Sequence, residues 1–121
     1  MPVLLDSVIL IDHLNGVAAA TRYLRTLDGA HISVITRAEV LAGVDENAKV
    51  PVESLLARYA TLPIDRPAAD LAAQLRRKHR WKLPDAFQAA LAQIHKLQLA
   101  TRNTKDFPVS LDFVVVPYSV R

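Results

Sequence analysis

The sequence contains no cysteine and no long apolar run. Without cysteine, disulfide bonds and thiolate metal sites are excluded. No apolar stretch approaches the ~20 residues that a membrane-spanning helix needs. The first residues also lack the basic and then apolar pattern of a secretory signal. We therefore expect a single domain over residues 1–121 that has no membrane anchor and works in the cytoplasm.

Glycine and histidine are sparse and scattered. The three glycines are isolated, so there is no glycine-rich loop to cradle a phosphate. The four histidines lack the spacing of metal ligands, and no Ser–His–Asp arrangement is apparent. The net charge of +3 is by itself a weak indication of an anionic partner. These absences leave the acidic residues as the candidates for a chemical site.

Short strand-like runs alternate with helical runs along the chain. Hydrophobic residues make up 51% of it, which is enough to form a core. Such alternation indicates the α/β class, with a parallel sheet and helices on both faces. The predicted strands are 3–5, 32–35, 99–101 and 113–116, and 62–64 is either a strand or an extended link. The predicted helices are 7–14, 18–27, 36–43, 52–61, 67–78 and 84–97.

Four acidic residues occupy comparable places in this pattern. Asp6 directly follows the first predicted strand, Glu39 and Asp85 lie near helix starts, and Asp106 lies in the loop after residues 99–101. The carboxyl ends of parallel strands meet at one edge of a sheet, where ligands bind. Four carboxylates there repel one another unless a divalent cation holds them. The pattern therefore points to metal-dependent cleavage of a phosphodiester.

Each of these acids also has a simpler explanation. Asp6 could cap the first helix, and Glu39 stands three residues after Thr36, which is the spacing of a capping box. Asp85 in a first helical turn would complement the helix dipole, and Asp106 lies in a turn-like string. Taken singly, these explanations suffice. They do not explain why the whole set should gather at one edge of a sheet.

The chemistry gives these side chains different roles. Mg²⁺ and Mn²⁺ prefer oxygen ligands, and Mg²⁺ keeps several of its waters. Asp6 and Asp85 are the best candidates for direct metal ligands, and Glu39 for a ligand through water or a general base. Asp106 would complete the site, with Asn103 as a neutral neighbour.

A fifth acid is expected to lie away from this site. Asp12 stands six residues after Asp6, well over one helical turn further along. Its side chain should therefore point elsewhere.

The residues around the four acids resemble the motifs of PIN-domain proteins, specifically the VapC-type toxins of bacterial toxin–antitoxin pairs. Four segments match in order over essentially the whole chain, and the ordered set is more specific than any one segment. The segments are Leu5-Asp6-Ser7-Val8-Ile9-Leu10-Ile11-Asp12, Ser33-Val34-Ile35-Thr36-Arg37-Ala38-Glu39-Val40-Leu41-Ala42-Gly43, Leu83-Pro84-Asp85-Ala86-Phe87-Gln88-Ala89-Ala90 and Leu99-Ala100-Thr101-Arg102-Asn103-Thr104-Lys105-Asp106-Phe107.

This resemblance implies a three-layer α/β/α fold with a short, mostly parallel central sheet. It also implies an endoribonuclease that depends on Mg²⁺ or Mn²⁺, is inhibited by a cognate antitoxin that covers the site, and commonly forms a homodimer. By matching position, Asp6, Glu39, Asp85 and Asp106 form the acidic quartet. Asn103 stands where many relatives have an acid, which leaves open whether Asn103 or Asp106 completes the site.

A run of basic residues precedes the third acid. Five Lys or Arg residues crowd into seven positions there, and Arg80 and Lys82 could contact the RNA backbone. Trp81 could stack on an unpaired base. Equally, the cations could simply end a helix and Trp81 could pack on the core. Arg102 and Asn103 are further candidate RNA contacts.

The same features raise expectations about partners. Unbalanced negative charge at the acids predicts that a basic side chain of a partner enters the acidic pocket. The helices predicted over 18–27 and 52–61 have apolar faces, which could serve a dimer or an antitoxin or could face the core.

Two other functions fit part of the pattern. A phospho-acceptor receiver domain also places acids at strand ends, but it needs adjacent acids after the first strand and a Lys before a late Pro. Leu5 and Ser7 are not acidic, and no Lys precedes Pro117. A catalytically inactive PIN-like module that binds RNA or protein would keep the same acids, so only an assay of metal dependence separates it from a nuclease.

Overall fold

Helices and strands alternate along residues 2–120, the part of the chain that this computed structural model describes. The helices in chain order are α1 Ser7–Leu14, α2 Ala18–Arg25, α3 Val34–Ala42, α4 Lys49–Leu56, α5 Arg66–His79 and α6 Leu83–Ile94. The strands are β1 Val3–Leu5, β2 His31–Ser33, β3 Ala60–Leu62, β4 Gln98–Ala100 and β5 Val114–Val115. A single 3-10 turn, Glu46–Ala48, precedes α4.

The five strands run parallel in one sheet, in the order β3-β2-β1-β4-β5. The chain builds outward from β1 to β3 on one side and then crosses back to place β4 against the other side of β1. In open sheets of this kind, ligands bind in the crevice at the carboxyl ends of the strands beside that crossing. Asp6 directly follows β1, and its amide donates to the Ala100 carbonyl at the end of β4 at 2.9 Å. Asp6 therefore lies at this crevice.

Different helices cover the two faces of the sheet. Leu4 packs with buried residues of α5 and α6. Its neighbours Val3 and Leu5 pack with buried residues of α1, α3 and α4. Because successive side chains of a strand point to opposite faces, this alternation along β1 separates two helical layers. The predicted three-layer α/β/α fold with a parallel sheet is confirmed.

Strand β2 ends earlier than predicted because Ser33 begins a helix. The β-branched run 32–35 favours a strand, but Ser33 Oγ accepts a hydrogen bond from the Thr36 amide at 3.0 Å and caps α3. Thr36 therefore lies inside the helix, and the predicted capping box between Thr36 and Glu39 is wrong. The Glu39 side chain is left for another role.

The helix predicted over 52–61 is wrong at its carboxyl end. Helix α4 ends at Leu56, and Ala60–Leu62 forms the edge strand β3. Ala60 and Thr61 are exposed, so no alternation of buried and exposed residues marks this strand in the sequence.

Part of the apolar surface of α2 and α4 packs into the core. Ala20 of α2 and Val52, Leu55 and Leu56 of α4 are buried. Each fully buried Leu or Val of this kind contributes about 1.5–3 kcal/mol to folding. Within residues 2–120, no helix combines the length and the apolar character needed to cross a membrane.

Candidate active site

A cavity of about 430 Å³ opens where the carboxyl ends of β1 and β4 meet. It brings together three of the four predicted acids, Asp6, Glu39 and Asp85, with the predicted RNA contacts Arg102 and Asn103. The remaining lining residues are Ser7, Val8, Thr104 and Lys105. Residues far apart in the sequence therefore meet at the topological crossing of the sheet.

Asp6 is the most rigidly held of the acids. It caps α1, with its Oδ1 atom accepting from the Ser7 amide at 2.9 Å. Thr101 Oγ1 donates to Oδ2 at 2.7 Å, and Gln88 Nε2 approaches Oδ1 at 3.5 Å. Only 7% of Asp6 is exposed. Burial raises its pKa, and the hydrogen bonds from Thr101, Gln88 and Ser7 offset part of that rise.

Gln88 is a site residue that sequence reasoning missed. It is buried, accepts from Ser33 Oγ at 2.6 Å and donates to Thr36 Oγ1 at 2.8 Å. Thr36 Oγ1 in turn donates to the Leu5 carbonyl at 3.3 Å. The network ties α6 and α3 to the end of β1 just before Asp6. One signal could have found it: Gln88 lies three residues after Asp85, on the same helical face of an otherwise apolar helix.

Glu39 stands at the open side of the cavity. It lies in α3, and its side chain is exposed. Partial burial of its carboxyl group raises its pKa, the Ser7 hydroxyl lowers it, and repulsion from Asp6 raises it again. An exposed carboxylate beside a buried one suits contact through water better than direct, rigid ligation.

Asp85 concentrates the electrostatic repulsion of the site. It lies in the first turn of α6, as predicted. Burial and, after it, repulsion from Asp6, Asp106 and Glu39 together raise its pKa to about 6, against a smaller opposing effect of Lys82. Strongly perturbed carboxyls in a cleft are typical of functional sites.

In the metal-free protein we expect the Asp85 carboxyl to titrate near pH 6. Its folded pKa lies above the ordinary value of 3.8, so the folded state binds the proton more tightly than the unfolded state does. The contribution of Asp85 to stability therefore falls as the pH rises between these two values. NMR titration of the carboxyl carbon in EDTA measures the pKa directly, and a value near 3.8 would contradict the prediction.

Asp106 lies behind Asn103 instead of lining the acid cavity. Asn103 Nδ2 donates to Asp106 Oδ2 at 3.0 Å, and Asn103 is the member of the pair that lines the cavity. Asp106 lines a neighbouring cavity of about 300 Å³. Its charge still reaches the site, because it helps to raise the pKa of Asp85. Asp106 therefore does not line the acid cavity in this structure, and its part in the acidic quartet stays a prediction.

Asp12 is bound to Arg102 and is not among the residues that line the acid cavity. Arg102 Nε and Nη2 donate to the two carboxylate oxygens at 2.5 and 2.9 Å, and the Tyr118 hydroxyl donates to Oδ2 at 2.8 Å. The guanidinium holds the pKa of Asp12 below its usual value. Nothing in the sequence indicated this partner.

The basic run before α6 divides into a core residue and exposed cations. Trp81 is only 7% exposed, stacks on His79 with ring centroids 4.1 Å apart, and donates from Nε1 to the Asp106 carbonyl at 2.7 Å. The predicted stacking of Trp81 on an unpaired RNA base is therefore wrong, because its ring is already packed in the protein. Arg80 and Lys82 are exposed.

The acid cavity fits a hydrated divalent cation but not a closed metal cage. Within residues 2–120, no group of three Asp, Glu or His side chains could hold a metal ion by itself. Mg²⁺ is usually bound through one or two carboxylates and keeps several waters. Asp6 and Asp85 supply oxygen ligands of the kind that Mg²⁺ and Mn²⁺ prefer, and a cation would relieve the repulsion felt by Asp85.

Fold and site together define a small parallel α/β domain with a carboxylate-lined cavity at its topological crossing. A family model described as PIN domain matches residues 3–109. The chain is 40% identical over 115 residues to Ribonuclease VapC10 of Mycobacterium tuberculosis, a match that covers 88% of this chain and 86% of that protein. The chain therefore belongs to the PIN-domain family.

Solved structures agree with this assignment. A chain of a toxin-antitoxin complex from Klebsiella pneumoniae is 36% identical, with a TM-score of 0.92 over 98% of this chain and 99% of that one. A chain of FitAcB from Neisseria gonorrhoeae is 26% identical, with a TM-score of 0.82 over the same shares.

Proposed function

We propose that this protein is a divalent-metal-dependent endoribonuclease toxin that a cognate antitoxin neutralises. The observation that supports this most strongly is the convergence of Asp6, Glu39 and Asp85 on one cavity that also contains Arg102 and Lys105. Carboxylates for a cation and cations for a phosphate are the groups that phosphodiester cleavage requires. The 40% identity to Ribonuclease VapC10 supports RNA as the substrate.

Asp6 and Asp85 would hold the metal, Mg²⁺ or Mn²⁺. When bound, such a cation supplies Lewis acidity to a phosphate oxygen and lowers the pKa of a coordinated water. Thr101 and Gln88 fix the orientation of the Asp6 carboxylate from behind. Glu39, exposed at the open side, is suited to accept a proton from the attacking water.

The neutral and basic side chains of the cavity would position the RNA. Asn103 is held by Asp106 and contributes an amide without adding negative charge. Arg102 and Lys105 offer N–H donors to phosphate oxygens. The cytoplasm is the compartment in which such a toxin would meet its RNA.

Cleavage of a total cellular RNA pool by the purified chain tests the proposal. With Mg²⁺ or Mn²⁺ we expect discrete fragments, and with EDTA we expect none. Intact RNA under every metal condition, from folded protein free of antitoxin, would instead favour the inactive PIN-like binding module.

The exposed cations Arg80 and Lys82 are expected to contribute to RNA binding by neutralising phosphates. In an Arg80→Ala/Lys82→Ala double variant, the negative slope of log K against log salt should become shallower by about 0.7 for each phosphate of a single-stranded RNA that is no longer neutralised. Fluorescence anisotropy across a salt series measures the slope. An unchanged slope would remove this basic run from the RNA path.

An apolar groove beside the acid cavity supports an antitoxin partner. It has a volume of about 300 Å³ and is lined by Ile11 and Leu14 of α1, by residues of α3 and α4, and by Val44 and others between these two helices. Ile11 and Leu14 are exposed apolar side chains. Glu39 lines both this groove and the acid cavity, so a chain lying in the groove could extend into the cavity. The Klebsiella pneumoniae relative was solved as a toxin-antitoxin complex.

In the complex we expect a basic side chain of the antitoxin to enter the acid cavity and neutralise it. The reason is the excess of carboxylates that raises the pKa of Asp85. A structure of the complex with these acids open to solvent would contradict this prediction.

We further infer a homodimeric toxin, which light scattering of the purified chain tests directly.

A further inference from the structure

Three distant segments of the chain meet at Arg102. Asp12 comes from α1, Arg102 from the loop after β4, and Tyr118 from the carboxyl-terminal segment after β5. Asp12 accepts from two nitrogens of the guanidinium and from the Tyr118 hydroxyl, so its two oxygens receive three hydrogen bonds. Within residues 2–120 this is the single salt bridge. We name Asp12, Arg102 and Tyr118 the arginine clamp.

The clamp leaves part of the guanidinium free. An arginine has five N–H donors, and Asp12 occupies two of them through Nε and Nη2. The Asp12 side chain is 7% exposed, whereas that of Arg102 is 34% exposed. The buried carboxylate therefore covers one edge of the guanidinium, while part of the Arg102 side chain stays accessible. Arg102 also lines the acid cavity.

Fixing this side chain has two physical consequences. A free arginine loses much of its conformational entropy when it binds a phosphate, and a clamped arginine has already lost it. A mobile arginine beside Asp6, Glu39 and Asp85 would also pair with those carboxylates and compete with a cation. The clamp removes both costs.

We propose that Asp12 and Tyr118 are positioning residues that hold Arg102 on the wall of the acid cavity, where its free N–H groups receive a phosphate of the RNA. This inference rests on the ribonuclease function proposed above. Arg102 contacts the substrate, and Asp12 and Tyr118 act only through Arg102. If the pair of Asp12 and Arg102 were merely structural, it would tie α1 to the loop after β4 and would have no effect on RNA binding or cleavage.

A double-mutant cycle on RNA cleavage separates these possibilities. Arg102→Ala should lower kcat/KM by about a hundredfold, which is typical when a donor to the reacting group is removed. Asp12→Asn should lower it by about ten- to a hundredfold through misplacement of the guanidinium. In the Arg102→Ala background, Asp12→Asn should change kcat/KM by less than about twofold, because its effect passes through Arg102. Equal losses in both backgrounds would overturn the proposal.

Tyr118→Phe is the variant that changes the clamp least. It removes one hydrogen bond and keeps the ion pair, and we expect a two- to tenfold loss of kcat/KM, about the effect of a single hydrogen bond. Arg22→Ala, which removes an exposed cation of α2, is the matched control and should leave kcat/KM unchanged. Thermal unfolding of each variant identifies losses of activity that come from unfolding.

Binding of a short RNA oligonucleotide in EDTA tests the clamp without catalysis. Asp12→Asn removes a negative charge, which by itself should tighten RNA binding. The clamp predicts the opposite, weaker binding, together with a salt slope smaller by about 0.7. Tighter binding by Asp12→Asn would overturn the proposal. If the wild-type chain does not cleave RNA at all, the proposed function fails, and this binding experiment still decides whether the clamp exists.

Discussion

The Asp85→Asn variant is expected to lose more than about a hundredfold in metal-dependent RNA cleavage while it keeps its fold. Removal of a residue that merely orients a metal ligand already lowers metal affinity or activity by about 10–100-fold. Removal of a ligand itself should lower activity by more. Asn preserves the shape of the side chain but cannot carry the charge that attracts the cation. Because burial and repulsion from three neighbouring acids raise the pKa of Asp85, this substitution also relieves unfavourable charge in the metal-free protein.

Three measurements check this prediction. Single-turnover cleavage gives the rate, isothermal titration with Mn²⁺ gives metal binding, and thermal unfolding in EDTA at pH 8 gives stability. We expect slower cleavage, weaker Mn²⁺ binding and an unfolding temperature at or above that of the wild type. Asp70→Asn, at an exposed position of α5, is the matched control and should change none of them. Cleavage that survives Asp85→Asn would indicate a contaminant or another site.

The Gln88→Leu variant is expected to destabilise the fold by about 2 kcal/mol, within the range of about 1–3 for a buried polar group left without its partner. Leu is similar in size to Gln but leaves the buried Ser33 hydroxyl without its 2.6 Å acceptor and Thr36 Oγ1 without its 2.8 Å donor. Asp6 also loses a donor. Stability and activity should therefore fall together.

Urea unfolding measures the loss of stability in Gln88→Leu, and the midpoint should fall without a change of slope. Gln93→Leu lies on the same helix at an exposed position and makes the same chemical change. It should alter stability by less than about 0.5 kcal/mol. Similar losses of stability in both variants would mean that the buried hydrogen bonds of Gln88 do not stabilise the fold.

The sequence predicts the position of the site better than its internal contacts. Asp6 can be placed at a sheet edge because a short apolar strand runs directly into it, and Asp85 because Pro84 marks the start of a helix. These are local signals. The order of the strands is not local, and it is the pairing of β1 with β4 that brings Asp6 to Thr101. No pattern in the sequence records that pairing.

The errors have a common physical origin in long-range packing. Trp81 looks like a stacking platform because basic residues surround it in the sequence. Trp81 is buried because it packs against Phe107, with ring centroids 5.1 Å apart, and donates to the Asp106 carbonyl. The pairing of Asp12 with Arg102 spans 90 residues. Neither interaction leaves a trace in local spacing.

Because the chain crosses back to the centre of the sheet, the acid cavity can form only late in the synthesis of the protein. Asp6 and Glu39 are made early, but Asp85, Thr101 and Arg102 come from the last third of the chain, and β4 must insert beside β1 to bring them together. A chain still growing on the ribosome, with the β4 region not yet made, therefore has acids but no cavity. Such a nascent chain lacks the site to which RNA cleavage is assigned above, and that site forms only when the region of β4 has been made.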